Sequence, residues 1–246
     1  MAATSEFYSE LIERLKKSSL LGSCSAVLGW DEQVNLPQAG GEHRAEQLAL
    51  LAGMTHEQAI HPRIGELLSE LEAADDLGDE GSTAQINVKH ARRAYDRDTK
   101  LPQQLVEELS RVTTLSQQAW VEARKNSDYS AFEPWLTKAL GLKREEAEAI
   151  GYGDGQPYDA LLDDYEPGAT AASIQAAFNP LRDELVPLVA AIRESDRQPD
   201  STIITRSYPV DAQRQLGIEA ATAIGFCFDS GRLDIAAHPF CSGFGP

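Results

Sequence analysis

Phe178-Asn-Pro-Leu-Arg-Asp-Glu-Leu-Val-Pro-Leu-Val-Ala-Ala-Ile192 is the stretch that decides the fold class. Its large apolar side chains recur every three or four residues, at Phe178, Leu181, Leu185, Leu188, Val189 and Ile192. A spacing of about 3.6 residues places such side chains in one stripe along one side of an α-helix. The stretch therefore predicts a long amphipathic helix.

The same periodicity extends outward from this helix towards both ends of the chain. Leu101, Leu105 and Leu109 repeat it earlier in the sequence. Strand patterns are nearly absent, and only Thr202-Ile-Ile-Thr205 has the β-branched composition of an extended segment. Short Gly- and Pro-containing breaks separate the helical patterns, and breaks of this length connect helices within one domain. We predict an all-α chain of about eight helices that forms a single helical unit over residues 1–246.

Composition limits the partners and the compartment. The 246 residues carry 39 acidic against 22 basic side chains, a net charge of -17. Nucleic acids and anionic membranes favour Lys and Arg, so neither is an expected partner. No apolar run reaches the roughly 18 residues of a membrane span, and the acidic start lacks the basic region of a signal peptide. Three cysteines without metal-ligand spacing predict buried free thiols, and we expect a cytoplasmic protein.

One string imitates a metal-binding motif. His56-Glu-Gln-Ala-Ile-His61 resembles the zinc motif HExxH but has one residue too many. On a regular helix its two rings would point about 140° apart, so they cannot share a metal ion. Pro62 follows at once and predicts a helix end. We therefore interpret both histidines as surface or turn residues. From the residues alone we assign no catalytic residue and no metal ligand.

Several motifs in order along the chain carry a resemblance to one enzyme family. They are Leu28-Gly-Trp-Asp-Glu-Gln33, Pro157-Tyr-Asp-Ala-Leu-Leu-Asp-Asp-Tyr-Glu-Pro-Gly168, Gly231-Arg-Leu-Asp234 and His238-Pro-Phe240. Each is weak alone, but together they resemble the Taq-type metallocarboxypeptidases over the whole chain. The resemblance implies a mostly helical fold related to the zincins, built as a homodimer around a deep groove. It also implies release of residues from the carboxyl end of peptides.

The resemblance also indicates what this sequence lacks. Members of the family are about twice as long, and their HExxH motif, which holds zinc or cobalt, follows the His-Pro-Phe motif. This sequence ends six residues after Phe240. We expect it to be the amino-terminal half of such an enzyme, an incomplete fold without a bound cofactor of its own. Without metal ligands there is no Lewis acid, so we expect no peptidase activity from this chain alone.

Three residues are candidates for a substrate-binding groove wall. The resemblance places His238 near the active site of the family, where it contacts substrate or an intermediate. Arg206 and Arg232 are candidates to meet a peptide carboxylate. Pro239 and Phe240 offer a structural alternative, in which they anchor a turn and His238 has no functional role.

Two other interpretations stay open. The chain is either a non-catalytic helical module for peptide binding or dimerisation, or a subunit completed in trans by a separate chain that carries HExxH. The expected partners are a peptide substrate and either a second copy or the missing carboxyl-terminal half. A half-domain exposes the apolar faces that its other half would cover, and such patches drive association.

Overall fold

The computed structural model describes residues 2–236 and 238–244, and its regular structure is helical throughout. These residues form ten α-helices and one short 3₁₀-helix, without a β-strand. The all-α prediction is thus confirmed. The chain divides into two compact units, one of residues up to Gly168 together with those from Ala236 onward, and one of Ala169–Ile235. That residues 1–246 behave as a single unit stays a prediction.

The first unit contains seven α-helices. They are α1 (Ala2–Val34), α2 (Gly41–Ala59), α3 (Pro62–Glu72), α4 (Thr83–Asp98), α5 (Gln103–Asn126), α6 (Tyr129–Ile150) and α7 (Pro157–Leu162), with the 3₁₀-helix Gln38–Gly40 between α1 and α2. Side-chain caps set several of their starts. The Ser82 hydroxyl accepts from the backbone N–H of Gln85 at α4, and the Asp128 carboxylate accepts from Ala131 at α6.

Three apolar clusters hold this unit together. The largest joins α1, α3 and α4 through Leu11, Ile64, Leu67, Leu68, Leu71, Val88 and Ala91. The second joins α5 and α6 around Leu105, Val112 and Leu142. A third lies between α6 and α7. Burial of a leucine or isoleucine side chain contributes about 1.5–3 kcal/mol, so these contacts dominate the stability of the unit.

A partly buried ion pair fixes the carboxyl-terminal part of α1 against α2. The Arg44 guanidinium of α2 is only 8% exposed, and it donates to the Asp31 carboxylate at 2.6 Å. It also donates to the Leu28 carbonyl of α1 at 2.5 Å. A guanidinium that is buried in this way requires several acceptors in fixed positions. The pair therefore sets the orientation of the last two turns of α1, which include Trp30.

The second unit is built from α8 (Ala171–Glu194), α9 (Thr202–Thr205) and α10 (Val210–Ala223). None of these three helices contains a buried residue. The predicted helix at 178–192 is confirmed as part of α8. The prediction of an extended segment at Thr202–Thr205 is wrong, because the Asp200 carboxylate accepts from the Thr202 N–H at 2.9 Å and a helical turn begins there. The ten α-helices of the described residues exceed the predicted count of about eight, and α9, which was predicted to be extended, accounts for part of the difference.

Two expectations about the surface have different outcomes. All three cysteines, Cys24, Cys227 and Cys241, are free, but each is exposed. The prediction of buried thiols is therefore wrong. Across the described ranges, no helix combines the length and the apolar character that a membrane crossing requires.

Candidate functional site

An aromatic cavity of about 650 Å³ lies within the first unit. Three helices and the segment 238–242 form its walls. The lining residues are Ala26, Gly29, Trp30 and Gln33 of α1, Ser116, Gln117 and Trp120 of α5, Phe132 of α6, and His238, Phe240 and Ser242. A mainly apolar cleft with a few polar groups is typical of a ligand pocket between helices. We call it the aromatic cavity.

His238 enters this cavity beside Trp120. The centroids of the two rings are 6.0 Å apart and their planes meet at 71°, an edge-to-face arrangement. The Nδ1 atom of His238 lies 3.0 Å from the carbonyl oxygen of Pro239. In the tautomer that carries its proton on Nδ1, this atom donates to the Pro239 carbonyl oxygen, and Nε2 is left as a hydrogen-bond acceptor. The role of His238 as a substrate contact stays a prediction.

Trp30 also lines the cavity. Its ring lies edge-to-face with that of Phe244, with centroids 6.2 Å apart. Asp31 points to the Arg44 guanidinium instead, which lowers the pKa of its carboxyl group through a hydrogen bond. Adjacent residues of α1 thus have different tasks, since one faces the cavity and the other anchors the helix.

Gln33 and Gln117 form the wall between the aromatic cavity and a second one. The Gln117 amide donates to the Gln33 side-chain oxygen at 3.3 Å, and both residues line both spaces. The second cavity has a volume of about 390 Å³ and is more polar. It also contains Glu32, where burial raises the pKa of the carboxyl group to about 7. The nearby Arg44 charge partly opposes that increase.

Arg206 and Arg232, the two other predicted groove residues, belong to the second unit. The Arg206 guanidinium stacks on the Tyr208 ring at 4.8 Å from the centroid and donates to its hydroxyl group at 2.6 Å. Arg232 donates two hydrogen bonds to Asp234, at 2.7 and 2.8 Å. Both arginines thus have local partners within their own unit. Their proposed contact with a peptide carboxylate stays a prediction.

The residues described here do not fit the metal ion that the resemblance implies. Among them, no group of three His, Cys, Asp or Glu side chains lies close enough to hold a metal ion. The prediction that His56 is a surface or turn residue is wrong, because its side chain is buried. Its Nε2 lies 3.0 Å from the Leu101 carbonyl oxygen. His61 caps α3, where its Nδ1 accepts from the Arg63 N–H. Both histidines therefore have structural partners.

Sequence reasoning missed Arg124 beside the aromatic cavity. Its guanidinium carbon lies 5.5 Å from the centroid of the Trp120 ring. The two residues are four apart on α5, a spacing that places them on one face of the helix. This spacing is visible in the sequence, but it gains meaning only once Trp120 is known to line a cavity. Arg124 adds a cation beside a mainly apolar site.

The sequence profile of the carboxypeptidase Taq (M32) metallopeptidases matches residues 10–246. The chain belongs to this family. Thermostable carboxypeptidase 1 of Thermus thermophilus is 38% identical over 97% of this M32 chain and 48% of its own length. Carboxypeptidase 1 of Bacillus subtilis is 32% identical over 95% of the chain and 46% of its own length.

Solved structures agree with this assignment. The crystal structure of BsuCP superposes on the M32 chain with a TM-score of 0.90 at 30% identity, over 97% of this chain and 48% of that one. The structure of Pyrococcus furiosus carboxypeptidase gives a TM-score of 0.78 at 30% identity, again over 97% and 48%. The chain thus spans about half the length of the relatives it matches. The predicted family is confirmed, and the described helices follow the fold of M32 carboxypeptidases.

Proposed function

We propose that these residues are part of a metal-dependent carboxypeptidase and that the aromatic cavity forms a section of its peptide-binding wall. Membership of the M32 family supports the reaction class. The cavity itself supports the binding role, because its volume of about 650 Å³ and its aromatic lining suit an apolar peptide side chain. The single observation that carries the proposal is the position of His238 beside Trp120 in that cavity.

We further propose that this chain does not hydrolyse peptides by itself. The supporting observation is that its 246 residues contain no HExxH string. The family resemblance assigns to that motif the ligands of a zinc or cobalt ion, which supplies Lewis-acid activation of the scissile carbonyl group. The described residues of this chain bind and orient, in this proposal, and another polypeptide segment supplies the metal ligands.

A direct assay tests this division of roles. The purified chain is incubated with zinc or cobalt, dialysed, and examined for bound metal and for release of the terminal residue from an N-blocked dipeptide. We expect neither stoichiometric metal nor turnover. Stoichiometric metal with turnover on this chain alone would contradict the proposal of inactivity and leave the family assignment intact.

Peptide binding to the aromatic cavity is tested separately, by tryptophan fluorescence. Peptides with a free carboxyl end are compared with the same peptides carrying a terminal amide. We expect Trp120→Ala to weaken binding of both forms. Arg124→Gln should weaken binding only of the free carboxylate, by about tenfold or more, since a charged hydrogen bond contributes roughly 1.5–3 kcal/mol. Lys125→Gln removes the same charge from the neighbouring position of α5 and is the control.

Equal binding of both peptide forms by the wild-type chain would exclude carboxylate recognition at Arg124. If Arg124→Gln and Lys125→Gln lost the same affinity for the free carboxylate, the effect would come from the net charge of the protein and not from a contact with Arg124. Unchanged binding in both Trp120→Ala and His238→Ala would remove the aromatic cavity from the peptide site altogether. None of these results depends on hydrolysis, so they are independent of the metal assay.

We propose that the apolar stripe of α8 is covered by another polypeptide, either a second copy or the remaining part of a longer enzyme. The stripe consists of Phe178, Leu181, Leu185, Leu188, Val189 and Ile192, each 44–60% exposed. Apolar patches of this kind on soluble proteins mark association surfaces. We also place the protein in the cytoplasm, because three exposed free thiols suit a reducing compartment.

Sedimentation velocity over a range of concentrations tests this surface. We expect the wild-type chain to self-associate and the triple variant Leu181→Gln, Leu185→Gln, Leu188→Gln to associate much less. A matched triple change at exposed polar positions of α8, Gln175, Arg182 and Glu184 to Ala, is the control. If all three proteins sediment as monomers, a second copy is excluded as the cover of α8.

A further inference from the structure

The second cavity lies beside the aromatic cavity but differs from it in chemistry. Its wall shares Gln33 and Gln117 with the aromatic cavity. The other lining residues are Glu32 of α1, Leu48 of α2, Leu109, Ser110, Thr113 and Thr114 of α5, and Lys143 of α6. Apart from two leucines, every one of these side chains carries a polar group. We call this space the Glu32 cavity.

Glu32 is the unusual member of this lining. Its Oε1 atom is buried and has no hydrogen-bond partner among the described residues. Buried carboxyl oxygens without a partner are rare in folded proteins, because their desolvation costs about 1–3 kcal/mol or more. Glu32, which lines the cavity, therefore carries one carboxyl oxygen that is held out of water and lacks a donor. A cation in the cavity beside this carboxyl group would lower the cost of its ionisation.

The basic groups near Glu32 are already engaged with other carboxylates. From α2, Arg44 donates to Asp31 at 2.6 Å. From α6, Lys143 donates to Glu146 at 2.6 Å. The α5 residues that line the cavity include no titratable side chain. An ionised Glu32 thus adds a negative charge that no ion pair among the described residues balances.

We propose that the Glu32 cavity binds a small organic cation, a primary ammonium ion on a short apolar stem, through the carboxylate of Glu32. The ammonium group supplies the positive charge that Glu32 lacks, since Arg44 and Lys143 are paired with other carboxylates. The hydroxyl groups of Ser110 and Thr113 provide further acceptors, and Leu48 and Leu109 provide contact for the stem. A volume of about 390 Å³ accommodates such a ligand without displacing a helix.

Titration with n-butylammonium, with n-butanol and butyrate as neutral and anionic probes of similar size, tests the proposal. Binding to the purified 246-residue chain is followed by NMR shifts of the methyl groups of Leu48 and Leu109. We expect the ammonium ion to bind with a dissociation constant on the order of 1–10 mM, and both other probes to bind at least about tenfold more weakly. Absence of preferential ammonium binding would overturn the proposal.

Glu32→Gln tests the residue itself. The amide keeps the shape of the side chain but cannot carry the negative charge, so ammonium affinity should fall at least about tenfold. Glu57→Gln, an exposed glutamate of α2 outside the cavity, should bind as the wild type does. Equal affinity in the wild type and Glu32→Gln would contradict the proposal. A cooperative thermal unfolding transition in Glu32→Gln, as in the wild type, confirms that the variant is folded.

The pH dependence of the wild type gives a test that needs no variant. Only the ionised carboxylate attracts the ammonium ion, which itself stays charged over this range. With a Glu32 pKa of about 7, the ionised fraction rises about fivefold from pH 6 to pH 7 and about twofold from pH 7 to pH 8. Ammonium affinity should rise by the same factors. An affinity that stays constant between pH 6 and pH 8 would exclude Glu32 as the binding group.

Discussion

The two units of this chain use the same helical periodicity with different results. In the first unit, the apolar faces of α1 and α3 meet, and Leu11 and Leu67 are completely buried. In the second unit, α8 has an equally regular stripe, but Leu188 stays 54% exposed. Periodicity therefore identifies a helix and its apolar face. It does not identify what covers that face, because the cover comes from distant sequence or from another polypeptide.

The largest expected effect comes from removing one leucine from each unit. Leu67→Ala should lower the free energy of unfolding by about 2–5 kcal/mol, because it leaves a cavity in the core. Leu188→Ala should lower it by less than about 1 kcal/mol, since its side chain is already half in water. Urea unfolding followed by circular dichroism gives both values.

Protein concentration sharpens this pair of measurements. If a second copy covers α8, the loss in Leu188→Ala should grow as the protein concentration rises, whereas the loss in Leu67→Ala should not. Similar losses in both variants at low concentration would show that α8 is packed within the monomer, and the contrast between the units would fail.

Local chemistry explains which parts of the fold could be predicted from the sequence. The helix at 178–192 was predictable because all the apolar residues that indicate it lie within a stretch of fifteen residues. The turn at Thr202–Thr205 was not, because β-branched residues favour strands, whereas here the Asp200 carboxylate accepts from the Thr202 N–H at the start of a helical turn. Propensity is a weak signal over four residues, and local hydrogen bonds outweigh it.

The site depends more strongly on packing than the helices do. His238 was predicted through a motif, whereas the roles of Trp120, Arg124 and Glu32 follow only from how α1, α5 and α6 pack. Glu32 and Lys143 are more than a hundred residues apart in the sequence but line one cavity. No pattern of spacing records such a contact. A single sequence therefore indicates the family of the protein better than it indicates which residues line the site.

Carboxylates give the next contrast between the units. Burial raises the pKa of Glu32 from 4.5 to about 7, so the folded state holds a proton that the unfolded chain releases between these pH values. Stability should thus fall as pH rises from about 4.5 to 7. Glu32→Gln removes this penalty and should be more stable than the wild type at pH 8, with no difference below pH 4.5. Because solvent screens this half-buried carboxyl group, we expect a gain of no more than about 2 kcal/mol.

Asp200 in the second unit should behave in the opposite way. Hydrogen bonds from Thr202 lower the pKa of its carboxyl group below 3.8, so its contribution to stability is present at neutral pH and lost as pH falls below that value. Asp200→Asn should therefore be slightly less stable at pH 7 and equal to the wild type in acid. Unfolding curves at pH 3, 5 and 8 compare the two variants. If the stability differences of Glu32→Gln and Asp200→Asn from the wild type changed with pH in the same direction, the opposite pKa shifts of the two carboxyl groups would be contradicted.

The smallest expected effect concerns glycines inside helices. Gly29 and Gly22 of α1 both have open space where a Cβ atom would lie, whereas a Cβ at Gly217 of α10 would lie 3.2 Å from Leu233. Replacement by alanine removes the helical penalty of glycine, about 1 kcal/mol. Gly29→Ala and Gly22→Ala should raise the unfolding midpoint equally.

Gly217→Ala should leave that midpoint unchanged if α10 unfolds before the core of the first unit. The Leu233 side chain is 42% exposed and can move away from the new methyl group. Hydrogen exchange of α10 amides would then be slowed without a change in global unfolding, since exchange reports local opening. A midpoint raised equally by Gly217→Ala and Gly22→Ala would mean that both units unfold in one cooperative step. Gly29→Ala carries an additional consequence, because its methyl group enters the aromatic cavity. Gly29→Ala should therefore weaken peptide binding, whereas Gly22→Ala should not. The pair thus distinguishes the effect of the cavity's shape on binding from the effect of helix stability.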